Sequence, residues 1–232
     1  MKILMIGNGF DLEHELPTKY TQFLEFVTRF KYAYLSANSV PKRLYDIKDD
    51  YLKTIFENPE YEDRVVALHT FTENNVWINY FQKVYKKHLA NKENWIDFES
   101  EISSMIQTMD GLIKSYESIA MGDSKNENLE KNYRSKLYNI IAPGGLKEET
   151  IKEYIPKLLC DLNKLIGALE IYIWDYVGNK KLKYYNPDIE KVHPSKVFSF
   201  NYSDTYRKLY ACNRKEIEYS FAHGVATNNI YF

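Results

Sequence analysis

Residues 2–12 read Lys2-Ile3-Leu4-Met5-Ile6-Gly7-Asn8-Gly9-Phe10-Asp11-Leu12, and this stretch decides the fold. Ile3 to Ile6 is a continuous apolar run, the pattern of a strand buried on both faces. Gly7-Asn8-Gly9 breaks it. Two glycines around an Asn permit a tight turn with positive φ and let a ligand approach the backbone closely. Strand, glycine turn, helix is how nucleotide-binding α/β domains begin, with backbone N–H groups turned toward a phosphate. The third glycine of G-x-G-x-x-G is absent, because Leu12 stands at that place. Alone, the stretch also suits a plain strand-to-helix turn.

Downstream the periodicity turns helical. Pro17 suits the first turn of a helix carrying Tyr20, Phe23, Leu24, Phe26, Val27 and Phe30 at helical spacing. That helix should end among Ser36, Asn38, Ser39 and Pro41. Residues 42–65 read as one amphipathic helix followed by a loop at Asn58-Pro59. Further helices are expected over 76–89, from Trp95 past Met109, and over 147–176 with Pro156 near the start. Residues 122–134 read as a polar loop and Pro143-Gly144-Gly145 as a turn. Strands return at 196–200 and 216–222, separated by a helix over 203–212, and 229–232 could begin one more. The expectation is a single α/β domain over 1–232, a Rossmann-like parallel sheet with a large, mainly helical insertion over about 40–190.

Composition narrows the function. The chain has 232 residues and a net charge of −1, so it carries no global electrostatic footprint for nucleic acid. Its 21 tyrosines are read as amphipathic rings packing helices rather than as a base-stacking surface. Cys160 and Cys212 lie in no zinc-type spacing and read as small buried thiols of a reducing compartment. The N-terminus lacks the apolar core of a signal peptide, and no apolar run is long enough to span a membrane. The expected location is the cytoplasm, with no membrane partner.

Three expected strand ends carry polar or glycine-rich residues: Gly7-Asn8-Gly9, Asn201 and His223-Gly224. Ligands of open parallel sheets bind at the carboxyl ends of strands. Gly7 and Gly9 would let the loop follow a diphosphate. Asn8 and Asn201 offer a donor and an acceptor to ribose hydroxyls or a carboxamide. His223 has the near-neutral chemistry of a general base. Phe10, Asp11, His14, Asp204 and Gly224 complete the candidate ligand-binding set. Asp11 and Asp204 also suit helix caps, and a carboxylate at Asp11 sits awkwardly beside a diphosphate unless it points to the ribose.

Gly7-Asn-Gly-Phe-Asp-Leu-x-His-x-Leu-Pro-Thr-x-Tyr20, Trp95-Ile-Asp-Phe-Glu99, Phe200-Asn-Tyr-Ser-Asp-Thr205 and His223-Gly224 together resemble, in the same order, the bacteriophage abortive-infection AbiH family. The sequence departs from that pattern at Glu15, where a glycine is usual. The resemblance implies phage defence by shutting down the infected cell. The glycine loop, the Asn-x-x-Asp and the His-Gly are also similar, more distantly, to the sirtuin-like NAD-binding fold. There the Asn and the His carry cleavage of the nicotinamide–ribose bond, which maps those roles onto Asn201 and His223. The zinc-binding cysteines of sirtuins are missing, so NAD hydrolysis without a metal fits better than deacetylation. The implied partners are the nucleotide, a phage-derived trigger or partner protein, and a second copy of the chain. Two other classes compete. Asp11, His14, Asp204 and His223 could ligate a metal for phosphoester or nucleic-acid hydrolysis. Alternatively, the domain binds a nucleotide as a sensor without turnover.

Overall fold

A computed structural model describes residues 1–90, 97–121, 131–134, 137, 148–182, 185–211, 216–222 and 224. The expectations for Trp95, Cys212, Pro143-Gly144-Gly145, His223 and 229–232 fall outside these residues, as do positions 122–130 of the polar loop expected over 122–134, whose residues 131–134 are helical instead. The described residues are mostly helical and include a small three-stranded parallel sheet. It divides into two compact units, Met1–Thr70 with Ile166–Phe232, and Phe71–Leu165.

The first unit holds the sheet. Strands β1 (Ile3–Ile6), β2 (Lys196–Ser199) and β3 (Glu218–Phe221) lie in the order β1-β2-β3, all parallel. Ile6 pairs with Ser199 and Ser199 with Phe221, so the three carboxyl ends lie level. One face is packed. Ile6 and Val197 meet Tyr206, Tyr210 and Ala211, with Leu4, Phe10 and Tyr219 closing the cluster. The opposite face corrects the expectation of a strand buried on both sides: Ile3 is 52% and Met5 65% exposed. Alternate side chains point to opposite faces, and helical cover reaches only the Leu4 and Ile6 side.

The loop after β1 also differs from expectation. Gly7 has extended backbone (φ −132°, ψ −174°), and helix α1 (Asn8–Glu13) starts at once. Neither Gly7 nor Gly9 has a positive φ; among glycines of the described residues only Gly224 does, at +77°. The left-handed residue is instead Glu15, at φ +59°. Leu16 N–H donates to Asp11 O and Glu15 N–H to Leu12 O, both at 3.0 Å. This is a Schellman ending of α1, and it explains why glycine is the natural occupant of position 15. A non-glycine residue there costs about 1–2 kcal/mol, partly offset by the lower unfolded-state entropy of a side chain. Glu15→Gly is therefore expected to stabilise the chain by about 0.5–1 kcal/mol, read as a higher midpoint in thermal unfolding.

Helix α2 (Tyr20–Ala37) begins after Pro17 rather than on it. Gln22 Oε1 accepts from Lys19 N–H at 3.0 Å, which seals the first turn. Its Phe23, Phe26 and Phe30 are buried. Phe26 packs against Tyr172 and Tyr176 with ring centroids 5.0 and 4.8 Å apart. The helix read ahead of the Asn58-Pro59 loop is shorter than expected, although the break at Asn58 is where the sequence placed it. A 3-10 turn (Leu44–Asp46) precedes α3 (Asp50–Glu57), whose N-terminus Asp49 caps, and a second 3-10 turn (Pro59–Tyr61) leads into α4 (Glu62–Thr72).

In the second unit, Asn75 Oδ1 accepts from Trp77 and Ile78 N–H at the start of α5 (Val76–Ala90). Phe81 stacks on Phe98 of α6 (Phe98–Ala120) with centroids 3.9 Å apart. Trp77 Nε1 donates to Leu158 O of α7 (Glu148–Ile171). Cys160 on α7 is exposed, not a buried thiol, since the apolar stripe that includes Leu158 and Leu165 leaves it on the outer side.

The first unit resumes with a π-helical turn (Tyr172–Val177), a short α8 (Pro187–Glu190), β2, α9 (Thr205–Tyr210) and β3. Among the described residues no helix is long and apolar enough to cross a membrane.

Candidate functional site

The level strand ends bring Gly7, Asn201 and Ala222 to one edge of the sheet. Phe200 N–H donates to Ile6 O and Ala222 N–H to Ser199 O, extending the ladder past the strands. His223 is the next residue in the chain but lies outside the described set. Gly224 is described and exposed.

Asn201 is fixed by its backbone. Its N–H donates to Ser199 Oγ at 3.1 Å. The residue is only 4% exposed, and among the described residues neither its Oδ1 nor its Nδ2 makes a hydrogen bond of full geometry, although its amide lies close enough to lower the Asp11 carboxyl. Beside it lies Asp11, 1% exposed, which projects from α1. Ser203 Oγ donates to Asp11 Oδ2 at 2.5 Å, while Oδ1 is unpartnered. Ser203 Oγ is also 3.0 Å from Thr205 Oγ1. Burial pushes the Asp11 carboxyl above the ordinary carboxylate range; Ser203, Thr205, the nearby Asn201 amide and His14 pull it partly back. Each orphaned buried polar atom costs about 1–3 kcal/mol. Three of them on two neighbouring residues make a polar pocket that the protein itself does not satisfy.

The glycines face the same question. Among the described residues, a Cβ built on Gly7 or Gly9 meets nothing within 4 Å. Neither backbone conformation nor packing therefore requires glycine here. What the missing side chains preserve is open space beside the strand end.

The other candidates have partners within the protein. Asn8 Oδ1 accepts from Thr18 Oγ1, so its acceptor is used inside the protein. His14 is 1% exposed and has both nitrogens engaged: Nδ1–H donates to Phe10 O at 2.6 Å, and Nε2 accepts from Tyr210 at 2.7 Å. The Tyr210 hydroxyl in turn accepts from Asn186 N–H. Phe10 packs on His14, Tyr206 and Tyr210. Asp204 stands at the N-cap position of α9 but makes no capping bond; it pairs with Lys208 at 3.0 Å. Among the described residues no three His, Cys, Asp or Glu side chains gather to hold a metal.

A cleft adjoins the cluster. Trp174, Lys180, Ser203, Asp204, Thr205 and Lys208 are among the residues that line it, and it encloses about 30 Å³. That is room for a water or two. Ser203 and Thr205 therefore face both the cleft and Asp11. The sequence reading passed over Ser203, although it sits inside the Asn201–Asp204 motif. The π turn shapes the other wall. Gly178 N–H donates to Ile173 O, five residues back, and a Cβ on Gly178 would lie 2.1 Å from Trp174 O. Gly178→Ala should force the turn to rewind. The expected cost is about 1–2 kcal/mol in denaturant unfolding, with altered Trp174 fluorescence.

A family model described as bacteriophage abortive infection AbiH matches residues 3–232. Comparison with curated proteins and with solved structures yields no match. The family match supports a role in abortive infection. The anchoring residues Gly7, Gly9, Asp11, Asn201 and Ser203 all lie within it, and the match spans nearly the whole chain. The chain belongs to the AbiH family.

Proposed function

We propose that this AbiH protein binds NAD at the carboxyl ends of its strands, in a Rossmann-like, sirtuin-like arrangement, and cleaves the nicotinamide–ribose bond. NAD loss in the cytoplasm would then stop the infected cell. The observation that carries this reading is the buried, unpartnered carboxamide of Asn201 beside Asp11 at the end of β2. An amide held ready with both atoms unused suits a ribose hydroxyl or an attacking water. The open space over Gly7 and Gly9 supports the passage of a diphosphate. His223 takes the role of activating a ribose hydroxyl through the resemblance to the sirtuin-like fold alone.

The chemistry needs no metal. The leaving nicotinamide departs as a neutral ring from a cationic one, so the protein has only to hold the ribose, stabilise an oxocarbenium-like state and position water. The test is release of nicotinamide and ADP-ribose by the purified chain, with and without extract of phage-infected cells, and with chelator. Release that resists chelator supports the reading. Chelator-sensitive release returns the site to metal-dependent hydrolysis, and tight NAD binding without release in either extract points to a sensor.

A further inference from the structure

Ser203 holds a position that neither the glycine loop nor Asn201 shares. Its hydroxyl touches the buried Asp11 carboxylate, and the residue itself is among those that line the neighbouring cleft. Asp11 itself is 1% exposed and does not line the cleft, so a molecule there reaches it through Ser203. A hydroxyl that donates to a carboxylate keeps its oxygen lone pairs as acceptors. Thr205 Oγ1, 3.0 Å away, steadies the same oxygen. The geometry is that of a short proton path: cleft water, Ser203 Oγ, Asp11 Oδ2.

We propose that Ser203 and Asp11 are the proton-accepting pair for the hydrolytic water, with Ser203 as the catalytic residue and Asp11 as the positioning residue behind it. The inference rests on the NAD-cleaving reading. In the step, a cleft water gives one proton to Ser203 Oγ as the Ser203 proton passes to Asp11 Oδ2. The water oxygen bonds to ribose C1′. The C1′–N bond breaks, and its electron pair goes to the pyridinium nitrogen, leaving neutral nicotinamide. ADP-ribose departs, and Asp11 returns its proton to solvent. Nothing beyond water is consumed.

The surroundings suit this task. His14, from α1, lies beside Asp11, and the loop and helix after β2 bring the hydroxyls of Ser203 and Thr205 and the amide of Asn201 to it, with the Asp204–Lys208 ion pair on the cleft side. Burial makes the carboxylate a stronger base than one in water. Among the described residues Asp11 Oδ1 makes no hydrogen bond of full geometry, so the carboxylate retains acceptor capacity.

The experiment compares nicotinamide release by the full chain, by Asp11→Asn, by Ser203→Ala and by Ser203→Thr, across pH, in the presence of infected-cell extract. The expected result is a kcat about 10²-fold lower in Asp11→Asn and Ser203→Ala with KM within about twofold. Ser203→Thr, which keeps the hydroxyl, recovers most of the rate. In the wild type kcat falls on the acid side as Asp11 takes up its proton, and this limb disappears in Asp11→Asn. Folding is controlled by thermal melts. Because the folded-state carboxyl is raised, its favourable contribution is present at acid pH and lost as pH rises through the raised value. Asp11→Asn should thus match the wild type at acid pH and melt higher above it. Variants that fold and keep kcat within about threefold overturn the pair while leaving NAD cleavage standing. A wild-type chain that releases no nicotinamide under any condition overturns the NAD reading, and the pair with it.

Discussion

Asn201→Ala is expected to lower nicotinamide release by about 10³-fold, the loss typical of a preorganised polar group that acts in the transition state. The argument is one of unused capacity. Most buried side-chain amides spend their donors and acceptors on the protein. The Asn201 amide, 4% exposed, spends neither, and only its backbone is tied in, to Ser199. Truncation removes, among the described residues, only the amide's polar influence on the Asp11 carboxyl. Two opposing effects act on stability. Losing the amide leaves a small void, and it relieves two unsatisfied polar atoms. The melting temperature should stay within a few degrees of wild type. Initial rates and a thermal melt on the same preparation separate the two readouts. A variant that melts normally and still releases nicotinamide, or still defends cells in a plaque assay, would remove Asn201 from the site. A variant that loses both fold and activity would assign it a structural role instead.

The positions of the three strands could be read in advance, and the reason is local. Ile3–Ile6, Lys196–Ser199 and Glu218–Phe221 are short apolar or alternating runs ended by Gly, Asn or His-Gly. Such punctuation lies in neighbouring residues. Helix α4 escaped because Val65, Val66, Ala67, Leu68 and Phe71 do not fall on one stripe, and its amphipathic signal is almost nil. The π turn at Tyr172–Val177 escaped because one extra residue in a helix leaves no mark on periodicity over so short a span. Glu15 was flagged as the place where glycine was missing, but only the φ of +59° supplies the cause. The site divides along the same line. Asn201 stood out as a polar residue at a strand end. Its neighbour Asp11 read as a cap or an awkward ribose contact, because the Ser203–Asp11 bond joins residues 192 positions apart. His14 read as a ligand-binding histidine for the same reason: Tyr210, which occupies its Nε2, is 196 positions away. Pairings of that range are made by the parallel crossover and not by any motif.

Gly9→Ala should raise stability and lower NAD affinity at once, and the opposite signs make it the sharpest test of the glycine loop. Gly9 lies inside α1, where alanine is favoured over glycine by up to about 1 kcal/mol. Among the described residues the new methyl meets no atom within 4 Å. The protein alone thus predicts a variant that melts about 1–4 °C higher. Among the described residues the methyl disturbs nothing, so a loss of affinity would point to a molecule lying over the loop. Forcing an extra methyl into such a contact costs about 1–3 kcal/mol, and NAD affinity should fall by up to about 10²-fold. Gly7→Ala is the companion, since the Gly7 backbone is extended, a conformation any residue adopts, and its Cβ also enters open space. Calorimetric titration of NAD beside a thermal melt reads both signs. Stabilised variants with unchanged affinity would mean that the nucleotide does not pass over Gly7 and Gly9, and the phosphates would then have to be sought along the Lys180 and Lys208 wall of the cleft.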